Sequence, residues 1–196
     1  MVTKVNILID GGFFIERFKQ LNNHFPKVED VERLSATIMK LIKLKTGDDT
    51  KDVLFRVFFY DCRPFGKTIK DSSGKIIDYS KQPQFSKKNK FIDGVAKLER
   101  FALRLGDLSF NGWKQDKHNL KLKPDFKQKG VDMKFGLDIA SMATKHTVDK
   151  IVLVAGDSDF IAPIKMARKE GLQVYLYPMD NYVKGELLQH CDFILK

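Results

Sequence analysis

The run Ile151-Val152-Leu153-Val154-Ala155 constrains the fold more than any other stretch of the chain. Five consecutive apolar residues without polar alternation fit a strand buried on both faces of a sheet. Residues 4–9 and Val53 to Tyr60 carry similar strand signals. Helical spacing fills much of the chain between them. Phe13 to Leu21 is one such segment, and Glu29 to Leu44 has apolar residues at Val31, Leu34, Ile38, Leu41 and Ile42. Further helices are predicted over Val131 to Thr144, 160–169 and near 184–189, with further strands at 172–177 and 192–195. The alternation predicts an α/β fold with a mainly parallel central sheet and helices on both faces. A single domain over 1–196 is expected, with no internal repeat.

Two stretches are harder. Phe91 to Leu105 has a helical stripe through Val95, Leu98, Phe101, Ala102 and Leu105, with Gly106 as its C-cap. Leu108 to Leu122 alternates loosely and is expected to hold one or two strands around Trp113. Residues 61–90 are poor in core residues and contain Pro64, Gly66, Gly74 and Pro83, so they read as an insertion or long loop.

Each strand end of interest empties into acid. Gly156-Asp157-Ser158-Asp159-Phe160 follows the 151–155 run, Asp10 follows Ile9, and Asp132 opens a helix after Lys129-Gly130-Val131. In open α/β sheets, ligands gather beyond the carboxyl ends of the strands where the strand order reverses. If the strands before Asp10 and Asp157 are neighbours there, their carboxylates converge. Carboxylates within ~5 Å repel by roughly 3 kcal/mol per pair at an effective dielectric of about 20. A divalent cation removes that cost, and all-oxygen ligation favours Mg²⁺ or Mn²⁺. The plainer role for these acids is local: Asp157 and Ser158 cap a helix, Asp132 and Asp159 complement helix dipoles, and Asp10-Gly11-Gly12 makes a tight turn. Asp138 lies ~9 Å further along its helix than Asp132 and needs a partner of its own.

Charge narrows the partner. The formal net charge is +10, from 35 Lys+Arg against 25 Asp+Glu. Lys114, Lys117, Lys121, Lys123, Lys127, Lys129 and Lys134 crowd the stretch around Asp132, and Lys81, Lys87, Lys88 and Lys90 form a second cluster. A basic surround beside an acidic site points to nucleic acid and a phosphodiester substrate. Lys129, Lys134 and Lys165 are candidate phosphate contacts, and Phe13, Phe14 and Phe65 candidate base-stacking residues. His24, His118, His146 and His190 lack zinc spacing. No stretch approaches the ~20 apolar residues of a membrane span. Met1-Val2-Thr3-Lys4 leads into a strand, so no signal peptide is expected. Cys62 and Cys191 are the only cysteines, which predicts a reducing, cytoplasmic setting without a disulfide framework.

Ile9-Asp10-Gly11-Gly12, then Lys129-Gly130-Val131-Asp132 with Asp138, then Val154 to Phe160 together resemble the NYN domain. This is a PIN-like ribonuclease group that includes the LabA-like proteins, and the resemblance runs from residue 4 to about 195. It implies a PIN-like Rossmannoid three-layer sandwich and metal-dependent cleavage of RNA. Asp10, Asp132 and Asp157 would hold Mg²⁺ or Mn²⁺, and Asp159 would complete the catalytic set. Many relatives carry Asn three residues after the first Asp, where this chain has Phe13. A non-catalytic RNA-binding or adaptor protein on the same fold is the main alternative. A metal-dependent phosphatase is a third, weakened because Gly12 stands where the haloacid-dehalogenase type has a second Asp. DNA remains open as the polymer, and exposed helices would support a homodimer.

Overall fold

The computed structural model describes residues 2–47, 51–71, 73–116 and 121–196, so Lys117 and His118 lie outside the described residues. Its elements are β1 (Val2–Asp10), α1 (Gly11–Asn22), α2 (Val28–Thr46), β2 (Lys51–Cys62), β3 (Thr68–Lys70), β4 (Ile76–Asp78), α3 (Pro83–Val95), β5 (Phe101–Gln115), β6 (Leu122–Lys129), α4 (Val131–Thr144), β7 (Lys150–Val154), α5 (Ile161–Lys169), β8 (Gln173–Leu176), α6 (Gly185–Gln189) and β9 (Phe193–Ile194). Seven strands form one sheet in the order β6-β5-β2-β1-β7-β8-β9. Every pairing in it is parallel except β5 with β6.

Period-two alternation explains the three layers. Leu8, Phe58, Tyr60 and Leu153 face one core, which α4, α5 and α6 close with Phe135, Ile139, Ile164 and Leu187. Ile7, Ile9, Val57, Phe59, Val152 and Val154 face the other, closed by Phe14 of α1, Ile38 of α2 and Ile92 of α3. Both faces of the central strands are therefore dry, as the uninterrupted apolar runs require. Among the described residues no helix is long and apolar enough to cross a membrane.

The predicted helix over Phe91 to Leu105 is corrected. The helix is Pro83–Val95, with Pro83 in its first turn, and Phe101–Gln115 is a strand. Arg100 adopts a left-handed φ of 65°, which a continuing helix does not allow. Beyond it, Phe101, Leu103 and Leu105 pack toward one core and Ala102 toward the other, a strand alternation that the helical stripe concealed. Gly106 is not a cap. A Cβ there would stand 2.4 Å from the Lys129 carbonyl oxygen and 2.7 Å from Val131 Cγ2, so the close approach of the β6–α4 turn requires glycine.

The 61–90 stretch is structured rather than a bare loop. It holds the β3–β4 hairpin and most of α3. Phe65 packs on Phe126 at 4.9 Å between ring centroids, Tyr79 on Phe126 at 5.3 Å, and Trp113 on Phe110 at 5.7 Å. Trp113 Nε1 also donates to the Lys70 carbonyl at 3.2 Å. These rings fasten the hairpin to the ribbon that β5 and β6 extend past the sheet. Phe65 and Trp113 are thus part of a packed aromatic cluster.

At the amino ends of the strands, Lys150 and Asp52 form a buried ion pair at 2.6 Å, with side chains 5% and 6% exposed. Burial alone raises the Asp52 pKa, but bonds from Lys150, Thr3 and Thr46 outweigh it and hold the carboxyl below its ordinary value. A depressed acid pKa adds stability that is complete above the unfolded value of about 4 and is lost as pH falls below it. Lys150→Met should therefore cost about 3–5 kcal/mol at pH 7 and flatten the acid limb of the stability profile. Urea unfolding at a series of pH values measures both effects.

Candidate active site

The strand order reverses at β1. The chain leaves it toward β2 and β5, then returns to β7 on its other side. β1 and β7 pair in parallel with Ile9 opposite Val154, so Asp10 and the segment after Val154 emerge side by side. The antiparallel β6 accounts for Asp132. Asp107 pairs with Lys129 just past the Cys62–Gly106 level of the sheet, so β6 brings the chain back to the carboxyl edge. Gly130 then turns it at φ 76° and α4 begins there, with Asp132 in its first turn.

Phe160 fixes the motif after β7. It stacks on Phe135 of α4 at 4.2 Å and 24°, which ties Asp157 and Asp159 to the helix that carries Asp132. Asp157 caps the single 3₁₀ turn Ser158–Phe160 by accepting from the Asp159 backbone N–H at 3.1 Å. Asp157 and Asp159 are exposed and Ser158 is half-buried. Asp10 Oδ1 accepts from the Phe13 N–H at 3.1 Å, so Asp10 caps α1, and Gly11-Gly12 is the opening of that helix rather than a separate turn. Local capping and a shared site are therefore compatible for Asp10 and Asp157.

Electrostatics link these acids. Burial, opposed by the Phe13 N–H bond and reinforced by the nearby Asp132 and Asp61 carboxylates, pushes Asp10 up to about 6. Burial raises Asp132 too, aided by Asp157 and Asp159. Among the described residues, no three His, Cys, Asp or Glu side chains stand close enough to hold one ion between them. The acids form a chain of neighbours rather than a closed cage.

Asp61 is the residue that sequence reasoning missed. It is 1% exposed and directly follows Tyr60, which lies opposite Asp10 in the β1–β2 register. It accepts from the Cys62 N–H at 2.7 Å and is ion-paired with Lys88 of α3. The signal was present, since Asp61 follows a predicted strand as Asp10 does, but the residue fell within the supposed insertion. Asp138 has the structural partners its position demands: Arg104 Nε at 2.7 Å and the Tyr60 hydroxyl at 2.9 Å.

The candidate RNA contacts differ in freedom. Lys129 and Lys165 are exposed. Lys134 is exposed as well, but its Nζ donates to the Leu105 carbonyl at 2.5 Å. Phe13 is half-buried, and a Cβ on Gly156 would lie 2.7 Å from its ring, so Gly156 makes room for that packing. Phe14 is a core residue at 1% exposure. Within the ribbon, Lys114 pairs with Asp125, and Lys123 with Asp116 at 2.7 Å, while Lys127 is exposed.

A mainly parallel seven-stranded sheet with helices on both faces defines an α/β three-layer fold, and comparison with known proteins names the family. The model of the NYN domain matches residues 78–195, more than half of the chain. The chain belongs to the NYN family, within the PIN-like nuclease superfamily. The matched segment contains Asp132, Asp138, Asp157 and Asp159 but begins after β1 and β2. A solved structure of a protein of unknown function from Vibrio parahaemolyticus is similar across 98% of this chain and 91% of that one, at 16% identity and a TM-score of 0.50. No curated protein matches the chain.

Because the native pKa of Asp10 lies above its ordinary value, the folded state binds the extra proton. Stability should therefore fall as pH rises from about 4 to about 6 on this residue's account. Asp10→Asn should remove that fall and raise the melting temperature at pH 7.5, measured by differential scanning calorimetry in EDTA.

Proposed function

We propose that this chain is a metal-dependent endoribonuclease of the LabA-like group within the NYN family. All 196 residues would act as one unit, elaborated at 61–90. The observation that carries the reading is the placing of Asp10, Asp132, Asp157 and Asp159 at one carboxyl edge of the sheet, at the switch point of an NYN fold, where neighbouring carboxylates add to the burial that raises Asp10 and Asp132. The chain's setting would be the cytoplasm, since two cysteines, Cys62 and Cys191, are too few for a disulfide framework.

The residues fit Mg²⁺ or Mn²⁺ in one particular manner. Mg²⁺ commonly keeps several waters and takes one or two carboxylates together with substrate phosphate oxygens. Asp10, Asp132 and Asp157 suit such a hydrated mode, directly or through water, and a chain of acids with no tight trio does not suit a dry cage. Bound there, the ion would activate a water and offset charge on the phosphate. Asp159 would accept a hydrogen bond from the attacking water and so orient it. Lys129, Lys134 and Lys165 would hold the backbone phosphates, and the exposed edge of Phe13 would meet a base. Water adds to phosphorus and gives up a proton to solvent, the P–O bond breaks, and the leaving oxygen takes a proton from solvent.

One observation favours a non-catalytic RNA-binding reading instead: no three acids gather among the described residues. A single experiment separates the two. The full chain should cut a labelled RNA in Mn²⁺ and not in EDTA. Asp157→Asn should lower that rate by on the order of 100-fold or more with an unchanged melting temperature, because the side chain is exposed. Salt-sensitive RNA binding without cleavage in either metal would establish the non-catalytic alternative.

A further inference from the structure

Beside the acids, on the far side of Gly12, lies a cavity of about 640 Å³. That is within the ~300–1,000 Å³ of small-ligand sites. Its apolar walls are Ile15 of α1, Phe25, Pro64 and Leu108 of β5. Gln84 of α3 and Gln128 of β6 add amide groups at its rim, and the Asp61–Lys88 pair lies along it. Apolar faces with a few amide and charged groups suit a flat heterocycle with polar edges.

Gly12 is the threshold between cavity and acids. A Cβ there would stand 3.3 Å from Asp10 Oδ1 and 3.7 Å from Gln128 Nε2, so one methyl group would touch both sides. The cavity therefore begins within one side chain's reach of Asp10. At its mouth, Lys87 and Lys19 lie with their ammonium groups 5.0 and 5.9 Å from the centre of the Phe25 ring. Lys19 also bonds Glu16 at 2.8 Å, whereas Lys87 has no carboxylate partner among the described residues. The α3 wall is braced: Arg63 donates to Asn89 at 2.9 Å and to Asp93 at 2.6 Å. Cavities of about 520 Å³, around Thr3, Thr46 and Lys150, and about 630 Å³, around Arg168, Gln173 and Asp192, lie at the amino ends of the strands, away from these acids, and a shallower one of about 430 Å³ lies between α4 and α5 with Asp132 and Asp159 in its lining.

We infer that the cavity beside Gly12 is a subsite for one unpaired nucleotide adjoining the bond to be cut. This rests on the ribonuclease reading for its substrate. The base enters between Ile15, Phe25 and Leu108, and the Gln84 and Gln128 amides meet its edge. Lys87 takes the nucleotide's phosphate at the mouth. A paired base cannot enter, so the subsite selects single-stranded segments. The 61–90 segment, through Pro64 and α3, supplies one whole wall, which gives that elaboration a role in substrate choice.

The test measures binding, on the full-length Asp157→Asn protein, by fluorescence anisotropy with a labelled single-stranded RNA octamer and a blunt RNA duplex. Leu108→Trp, which fills the cavity, should weaken single-strand binding about tenfold and leave duplex binding unchanged. Lys87→Ala, on the surface, should weaken single-strand binding several-fold, with recovery in Lys87→Arg. Single-strand binding unaltered in Leu108→Trp would overturn the subsite. If that variant melts early, unaltered binding in Lys87→Ala does the same. Failure of the ribonuclease reading shows separately, as no Mn²⁺-dependent cleavage by the unmutated chain.

Discussion

The parallel pairing of β1 with β7 is the constraint on which the rest of the structure depends. It makes β1 the point where the strand order reverses, and it sets Ile9 beside Val154. Both strands are buried on both faces, so a one-residue slip would move Ile7, Ile9, Val152 and Val154 from one core to the other. The register is therefore fixed by hydrophobic packing. The position of Asp10 relative to the segment carrying Asp157 follows from it without any direct bond between the two side chains.

The two ends of the sheet treat buried charge differently. At the amino ends, Asp52 meets Lys150 together with the Thr3 and Thr46 hydroxyls, and its charge is compensated. At the carboxyl ends, Asp61 is compensated by Lys88, but Asp10 is left among other acids and is pushed toward neutrality. A fold that neutralises two buried acids yet leaves a third without a cation spends stability at that position. Uncompensated carboxylates of this kind cluster at functional sites, which is the ground for including Asp10 in the proposed metal site.

The central sheet was legible because its strands are continuous apolar runs, and the acids after β1 and β7 because glycine and aspartate follow those runs directly. The order of pairing also obeys the rule that parallel crossovers carry helices. The strand expected around Trp113 is the outer part of β5, but much else between 61 and 107 escaped. Leu98, Phe101, Ala102 and Leu105 satisfy both a helical stripe and, in part, a strand alternation, and only the left-handed turn at Arg100 decides between them. Asp61 was hidden by the same uncertainty, since a residue assigned to a loop is not searched for as the end of a strand. Lys88 could not be recognised as its partner, because nothing in the order of residues shows that α3 turns a lysine inward.

The ribbon formed by β5 and β6 has one more effect. β6 is the free edge of a seven-stranded sheet, and an exposed edge invites another chain to add a strand. Here that edge carries Lys123, Lys127 and Lys129, and Pro124 lacks a backbone donor. The opposite edge, β9, is only two residues long. Two copies approaching edge to edge would meet like charges on one side and almost no template on the other. The lysines and the proline of this edge thus also guard the molecule against edge-to-edge aggregation.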